Sequence, residues 1–226
     1  MMDKTEEMIF AEEQLRKSQE GEFPRYFDFM GRSFILNKDV FSPEVFLGYR
    51  VYVPHLPLSK GQTLLDMGCG SGVIGITCCL EYDLSYVLCA DISDDAVLNT
   101  YENIHDYYLS GEVEVLQSDV YSNIGNERKF DLIFWNFPYF DFEPKNPTKL
   151  EMCTYDPGYN KTKEFIVGGF ERIAPQGKIM LGFSSTRFPL EHAKRKVQEI
   201  GFDLQVFFQD IDANGISQEL LEVVRL

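Results

Sequence analysis

The stretch Leu64-Leu65-Asp66-Met67-Gly68-Cys69-Gly70-Ser71-Gly72-Val73-Ile74-Gly75 decides the fold. An apolar run closes on an acid and breaks into alternating glycines, which reads as a strand, a tight turn and then a helix from Val73 to Glu81. Glycine suits such a turn because the backbone must reach φ values closed to other residues, or because a ligand comes too close for a Cβ. The turn therefore points to a nucleoside-like cofactor. Gly70-Ser71-Gly72-Val73-Ile74-Gly75 also fits the dinucleotide fingerprint, whose helix N-terminus receives a pyrophosphate, and an unliganded turn fits it too.

The acids at the strand ends carry the argument further. Asp66 is expected to close its strand with the carboxylate in the crevice at the carboxyl edge of the sheet, where it suits a cationic ligand better than a pyrophosphate. Tyr86-Val87-Leu88-Cys89-Ala90-Asp91 is a second apolar run closed by an acid, about 20 residues past the glycines, the spacing of an acid that binds ribose hydroxyls. A third strand, Val113 to Gln117, ends in Ser118-Asp119, a candidate acceptor for an adenine amine or a plain polar strand end. The fourth, Phe130 to Trp135, runs into Asn136-Phe137-Pro138-Tyr139.

This ordered series resembles the class I S-adenosylmethionine-dependent methyltransferases, and within them the Asn-Pro-Pro-Tyr group of release-factor glutamine, small-domain ribosomal RNA guanine and adenine amino-methyltransferases. The match runs from about residue 34 to 183: Val40-Phe41-Ser42-Pro43, the glycine turn, Ala90-Asp91-Ile92-Ser93, then the Asn-x-Pro-Tyr loop. The resemblance implies S-adenosyl-L-methionine as cofactor, with Asp66, Gly68, Cys69, Gly70, Gly72, Asp91, Ile92, Ser118, Asp119 and Asn136 around it, and no metal. It implies Asn136, Phe137, Pro138 and Tyr139 as the catalytic loop, and Phe137 stands where the group has its first proline.

Methylating a planar nitrogen requires in-line approach of a lone pair that conjugation ties up. The Asn136 side-chain oxygen, with by resemblance the Phe137 carbonyl, would bind the NH2 hydrogens and favour pyramidalisation, while Tyr139 stacks on the flat acceptor. Pro138 fixes one φ and holds the loop.

The 226 residues fit one large domain, and 44% apolar content is that of an ordinary globular chain. No apolar stretch has membrane-span length and the acidic start lacks a signal-peptide core, so a cytoplasmic protein without membrane contact is expected. Five cysteines without a CxxC pair read as reduced core residues, and three scattered histidines argue against a metal cluster. A net charge of −15 disfavours free nucleic acid, whose binding draws on lysine and arginine; Arg187 and the run from His192 to Lys196 are only local exceptions. The expected acceptor is a protein side chain or a small molecule, with a dimer contact or a partner subunit left open.

The fold class expected is α/β: a Rossmann-like, doubly wound, seven-stranded sheet with an antiparallel last strand, carrying an N-terminal helix and hairpin appendage. The appendage would span 1–55 and the methyltransferase domain 56–226. An amphipathic helix is predicted over Thr5 to Glu20 from Met8, Leu15 and interleaved charges, over the cofactor or at a dimer contact. A hairpin follows over Arg25 to Leu36, then a helix from Pro43 to about Tyr52 capped by Ser42. Helices are predicted over Asp94 to Tyr108, Thr162 to Ile173 and Pro189 to Ile200, and the long segment from Phe140 to Lys161 reads as a substrate-side lid. Strands near 204–209 and 218–225, flanking Asp212-Ala213-Asn214-Gly215, form the closing hairpin.

Transfer to a planar amide or amine nitrogen is the function this predicts. Rivals are transfer to oxygen on a small metabolite, transfer to an RNA base with a partner subunit, a dehydrogenase on the same glycine turn, and a non-catalytic partner of another methyltransferase. The dehydrogenase lacks a visible tyrosine–lysine pair at helical spacing, and an inert scaffold has no evident need for Asp66 and Asp91.

Overall fold

Parallel strands buried on both faces are near-continuous apolar runs, and four such runs build the centre of the sheet. The computed structural model describes residues 4–145 and 147–226. In chain order its elements are α1 (Lys4–Ser18), β1 (Arg25–Phe29), β2 (Arg32–Leu36), α2 (Gly48–Tyr52), β3 (Thr63–Met67), α3 (Val73–Tyr82), β4 (Tyr86–Asp91) and α4 (Asp94–Asp106). There follow β5 (Val113–Gln117), β6 (Phe130–Trp135), α5 (Asn160–Arg172), β7 (Ile173–Phe183), α6 (Leu190–Gln198), β8 (Phe202–Ile211) and β9 (Ser217–Arg225).

Seven strands form one sheet in the order β5-β4-β3-β6-β7-β9-β8. β9 inserts antiparallel between β7 and β8, and the other neighbours from β5 to β7 are parallel. The antiparallel closing hairpin is thus as expected.

Alternate side chains of each strand enter two cores. Leu64, Val87, Cys89, Leu132 and Phe134 join α3, α2 and the β1–β2 hairpin on one face. Leu65, Leu88, Ala90, Ile133 and Trp135 join α5 and α6 on the other. Phe27, Phe29, Phe34 and Leu36 of the hairpin belong to the first of these cores, so the hairpin packs into the sheet's own interior. Asn103 fastens it: its Oδ1 accepts from Ile35 N at 2.8 Å and its Nδ2 donates to Ile35 O at 2.9 Å.

Two elements differ from expectation. The predicted helix at Pro43 starts only at Gly48, because Val45 N and Phe46 N close a single turn on Ser42 O and Phe41 stacks on Phe46 with ring centroids 4.2 Å apart. The segment from Phe140 to Lys161 is bonded down: Phe140 N donates to Thr154 O at 3.1 Å, and Asp156 N donates to Phe140 O at 3.0 Å. Buried Asp156 then caps α5, accepting from Thr162 N and Oγ1 at 2.8 and 2.7 Å. The side chain of Met8, expected on the apolar stripe of α1, lies outside the described residues. No described helix is long and apolar enough to cross a membrane.

Candidate active site

The carboxyl ends of β4, β3, β6 and β7 lie side by side, with Met67 paired to Ala90 and Trp135, and Trp135 to Leu181. This register brings the glycine turn, Asp91, the Asn136 loop and the turn after Phe183 to one edge of the sheet, where ligands of open α/β sheets bind.

Gly68 has φ +63 and a Cβ there would stand 2.5 Å from Trp135 Nε1, so the glycine lets the turn lie against β6. Gly70, at φ +58, has no atom within 4 Å of such a Cβ and faces open space. Two α4 side chains that sequence reasoning missed hold this turn. Thr100 Oγ1 donates to Gly70 O at 2.9 Å, and Asn103 Nδ2 donates to Ser71 O at 2.8 Å. Cys69 is buried beside them, its Sγ 3.4 Å from Thr100 Oγ1, and Gly72 packs on the same threonine.

Asp91 ends β4 with Oδ2 accepting from Gly70 N at 3.0 Å and Oδ1 from Ser93 N at 2.9 Å. Burial pushes its pKa up, and the backbone donors partly offset this. Each oxygen keeps a lone pair for a further donor. Ile92 is 60% exposed next to it, and the buried Ser93 Oγ has no partner among the described residues. An open glycine cradle, a carboxylate held by two amides and an exposed apolar side chain fit a nucleoside with a ribose and a flat base.

Asp66 stands otherwise than expected. It shares the β3 face of Leu64, which α3 covers, so its carboxylate is 1% exposed and accepts from Gly75 N at 2.9 Å instead of entering the crevice. Burial raises its pKa to about 7. Between the ordinary value of 3.8 and about 7 the unfolded chain ionises while the folded one stays protonated, so stability falls as pH rises through that window. Asp66→Asn keeps an oxygen for Gly75 N–H and cannot ionise. Its melting temperature relative to wild type is expected to climb from pH 4 to pH 8; a constant difference across thermal melts in that range would refute the assignment.

Ser118 is also turned inward, donating from Oγ to Val120 O at 2.8 Å and accepting from Asn123 N at 3.1 Å. Asp119 is half exposed and paired to Lys161 Nζ at 2.8 Å, so an adenine amine would have to share that carboxylate.

Beyond β6 the Asn136 loop borders a cavity of about 350 Å³, within the roughly 300–1,000 Å³ of small-ligand sites. Among the described residues no protein group hydrogen-bonds the Asn136 side chain or the Phe137 carbonyl. The Phe137 ring is buried, stacked on Phe183 with centroids 6.0 Å apart and tilted on Tyr159 at 5.9 Å. Tyr159 Oη donates to Tyr139 O at 2.7 Å, and Pro138 is buried between. The ring thus anchors the loop at the position where a proline is expected. Desolvation pushes the Tyr139 phenol up to about 12, so it stays neutral near neutral pH.

Gly182 of β7, not singled out in the sequence, leaves room for this arrangement. A Cβ there would meet Tyr52 Cε2 at 2.6 Å and Asn136 Oδ1 at 3.0 Å. Gly182→Ala is expected to cut kcat by about tenfold or more through displacement of Asn136, as sub-ångström misplacement costs rate, with cofactor affinity retained. Steady-state kinetics beside calorimetry checks this.

The methyltransferase small domain family model matches residues 32–152, more than half of the chain. The chain belongs to the methyltransferase small domain family. Members of this family take the methyl group from S-adenosylmethionine. A ribosomal protein uL3 glutamine methyltransferase of Francisella tularensis is 28% identical over 185 residues, covering 70% of this chain and 57% of the relative. A release factor glutamine methyltransferase of Clostridium botulinum is 33% identical over 133 residues, covering 58% and 47%. The chain spans about half the length of these relatives.

Among solved structures, ribosomal protein L11 methylase from Lactobacillus delbrueckii superposes with a TM-score of 0.53 at 18% identity, over 80% of this chain and 75% of that one. Trm5b from Pyrococcus abyssi superposes at 0.59 and 19%, over 91% and 57%. Both share the methyltransferase fold with this small-domain chain.

Proposed function

We propose that this chain methylates a planar amide nitrogen, that of a protein glutamine, with S-adenosylmethionine held by the glycine turn, Asp91 and Ile92. The observation that carries this reading is the pair of unengaged acceptors, Asn136 Oδ1 and the Phe137 carbonyl, on one small cavity beside Tyr139. The names of the relatives support the choice of glutamine.

Bound S-adenosylmethionine supplies an electrophilic methyl carbon. The chain's own residues do the rest by orientation. The two oxygens accept the two N–H bonds of a primary amide, turning the nitrogen lone pair out of conjugation and stabilising positive charge as it develops there. Tyr139 offers an aromatic wall for the flat amide. The carboxylate that lines the cavity, Asp212, is already taken up by Asn214 N, Ile216 N and Gln218 Nε2, so the spare proton passes to solvent rather than to a dedicated base.

The test is incubation with S-adenosylmethionine and glutamine-bearing peptides or ribosomal proteins, followed by fragment mass spectrometry. A methyl group located on a glutamine side-chain nitrogen is the expected product. Methyl transfer found solely on oxygen or on RNA would replace this reading with one of its rivals.

A further inference from the structure

Arg187 lines the same cavity as Asn136, in the turn after β7 where its backbone N donates to Ser184 O at 3.1 Å. It is half-buried in a chain with 36 acids against 21 lysines and arginines, yet no described residue forms a salt bridge or a side-chain hydrogen bond with it, and Asp212, on the same cavity, acts on it only at longer range. The other half-buried arginines, Arg25, Arg32 and Arg128, each hold a glutamate. What Arg187 does have is Phe10 of α1, whose ring centroid is 3.8 Å from its Cζ. A guanidinium stacked by its face is fixed in orientation and keeps its edge N–H groups free, the geometry that takes a planar carboxylate in bidentate fashion. Partial burial lowers its pKa, an effect that Asp212 offsets only in part, and leaves a desolvation cost that an anion paired directly with the guanidinium would relieve.

We propose that Arg187 reads a carboxylate on the methyl acceptor, so that this chain modifies an amide that has an acidic group close by. The proposal rests on the amide-methylation reading above. A monoanion matches one guanidinium; a phosphate dianion would want further cations, and the charged side chain that shares the cavity with Arg187 is acidic Asp212. The carboxylate has two sources, a neighbouring acidic side chain or the carboxyl end of the acceptor's own main chain.

Calorimetry on protein saturated with S-adenosylhomocysteine separates them. One pair of probes is a blocked glutamine–aspartate dipeptide against the blocked glutamine–asparagine dipeptide. The other is N-acetylglutamine against its C-terminal amide. The carboxylate member of one pair is expected to bind about tenfold tighter or better, as for hydrogen bonds to charged groups, and the pair that discriminates names the source. Arg187→Gln should erase the difference with S-adenosylhomocysteine affinity intact, which also shows that the variant is folded, and Arg187→Lys should keep part of it.

Equal affinities within both pairs in wild type, or no binding of any of the four, would overturn the proposal, as would discrimination that survives in Arg187→Gln. Carboxylate-selective binding without any methylated glutamine on mass analysis would leave Arg187 as an anion site and sink the amide reading instead.

Discussion

Asn136→Ala is expected to lower kcat by about a hundredfold or more, the scale on which single preorganised polar groups act on a transition state, while S-adenosylhomocysteine binds nearly as before. The side-chain oxygen stands at the carboxyl end of β6, borders the cavity and has no partner within the described residues, so its removal breaks no hydrogen bond of the fold. What it removes, on the amide reading proposed above, is the acceptor that would turn the amide lone pair toward the methyl group. Binding energy of the resting amide changes little, because the interaction strengthens only as the nitrogen pyramidalises. Single-turnover rates with saturating acceptor report the loss directly. If instead the variant loses cofactor affinity and turns over normally once cofactor is saturating, Asn136 belongs to the cofactor and the acceptor site has been misplaced.

Asp91→Ala should act in the opposite order, weakening S-adenosylhomocysteine binding by about tenfold to a hundredfold, as expected for loss of hydrogen bonds to a charged group. Two effects add. The carboxylate proposed to meet the ribose would be gone, and the Gly70 and Ser93 amides, 3.0 and 2.9 Å from its oxygens, would lose the acceptor that shapes the glycine cradle. Asp91→Asn separates them, since it retains one oxygen acceptor and loses the charge, and its affinity should fall between wild type and alanine. Calorimetry on the three proteins decides. An alanine variant with unchanged affinity would remove Asp91 from the cofactor site.

The parallel strands were legible because burial on both faces makes each an apolar run closed by a polar residue, as in Tyr86–Asp91 and Phe130–Trp135. Asp66 shows how far such reading goes. Its place near a strand end was evident, but the face it takes depends on a two-residue period, and Met67 rather than Asp66 closes β3. The side chain therefore points under α3, to Gly75 N. The missed residues share another property: their partners are remote in sequence. Tyr52 Oη donates to Gln218 Oε1 at 2.7 Å across 166 positions, and Thr100 reaches Gly70 across 30. No local pattern carries such pairings. Arg187 was visible as a cation against an acidic background, yet that it forms no salt bridge among the described residues is a fact of three dimensions.

The insertion of β9 between β7 and β8 has a bearing on how this protein comes into being. The glycine turn and Asp91 lie within the first half of the chain, whereas the cavity beside Asn136 takes walls from Phe10 and from Gln218. During synthesis β3 pairs with β4 first, and β6, whose Trp135 the glycine turn lies against, follows. That cavity stays unwalled until β9, the last strand, has slotted between β7 and β8, so it is among the last parts of the fold to close.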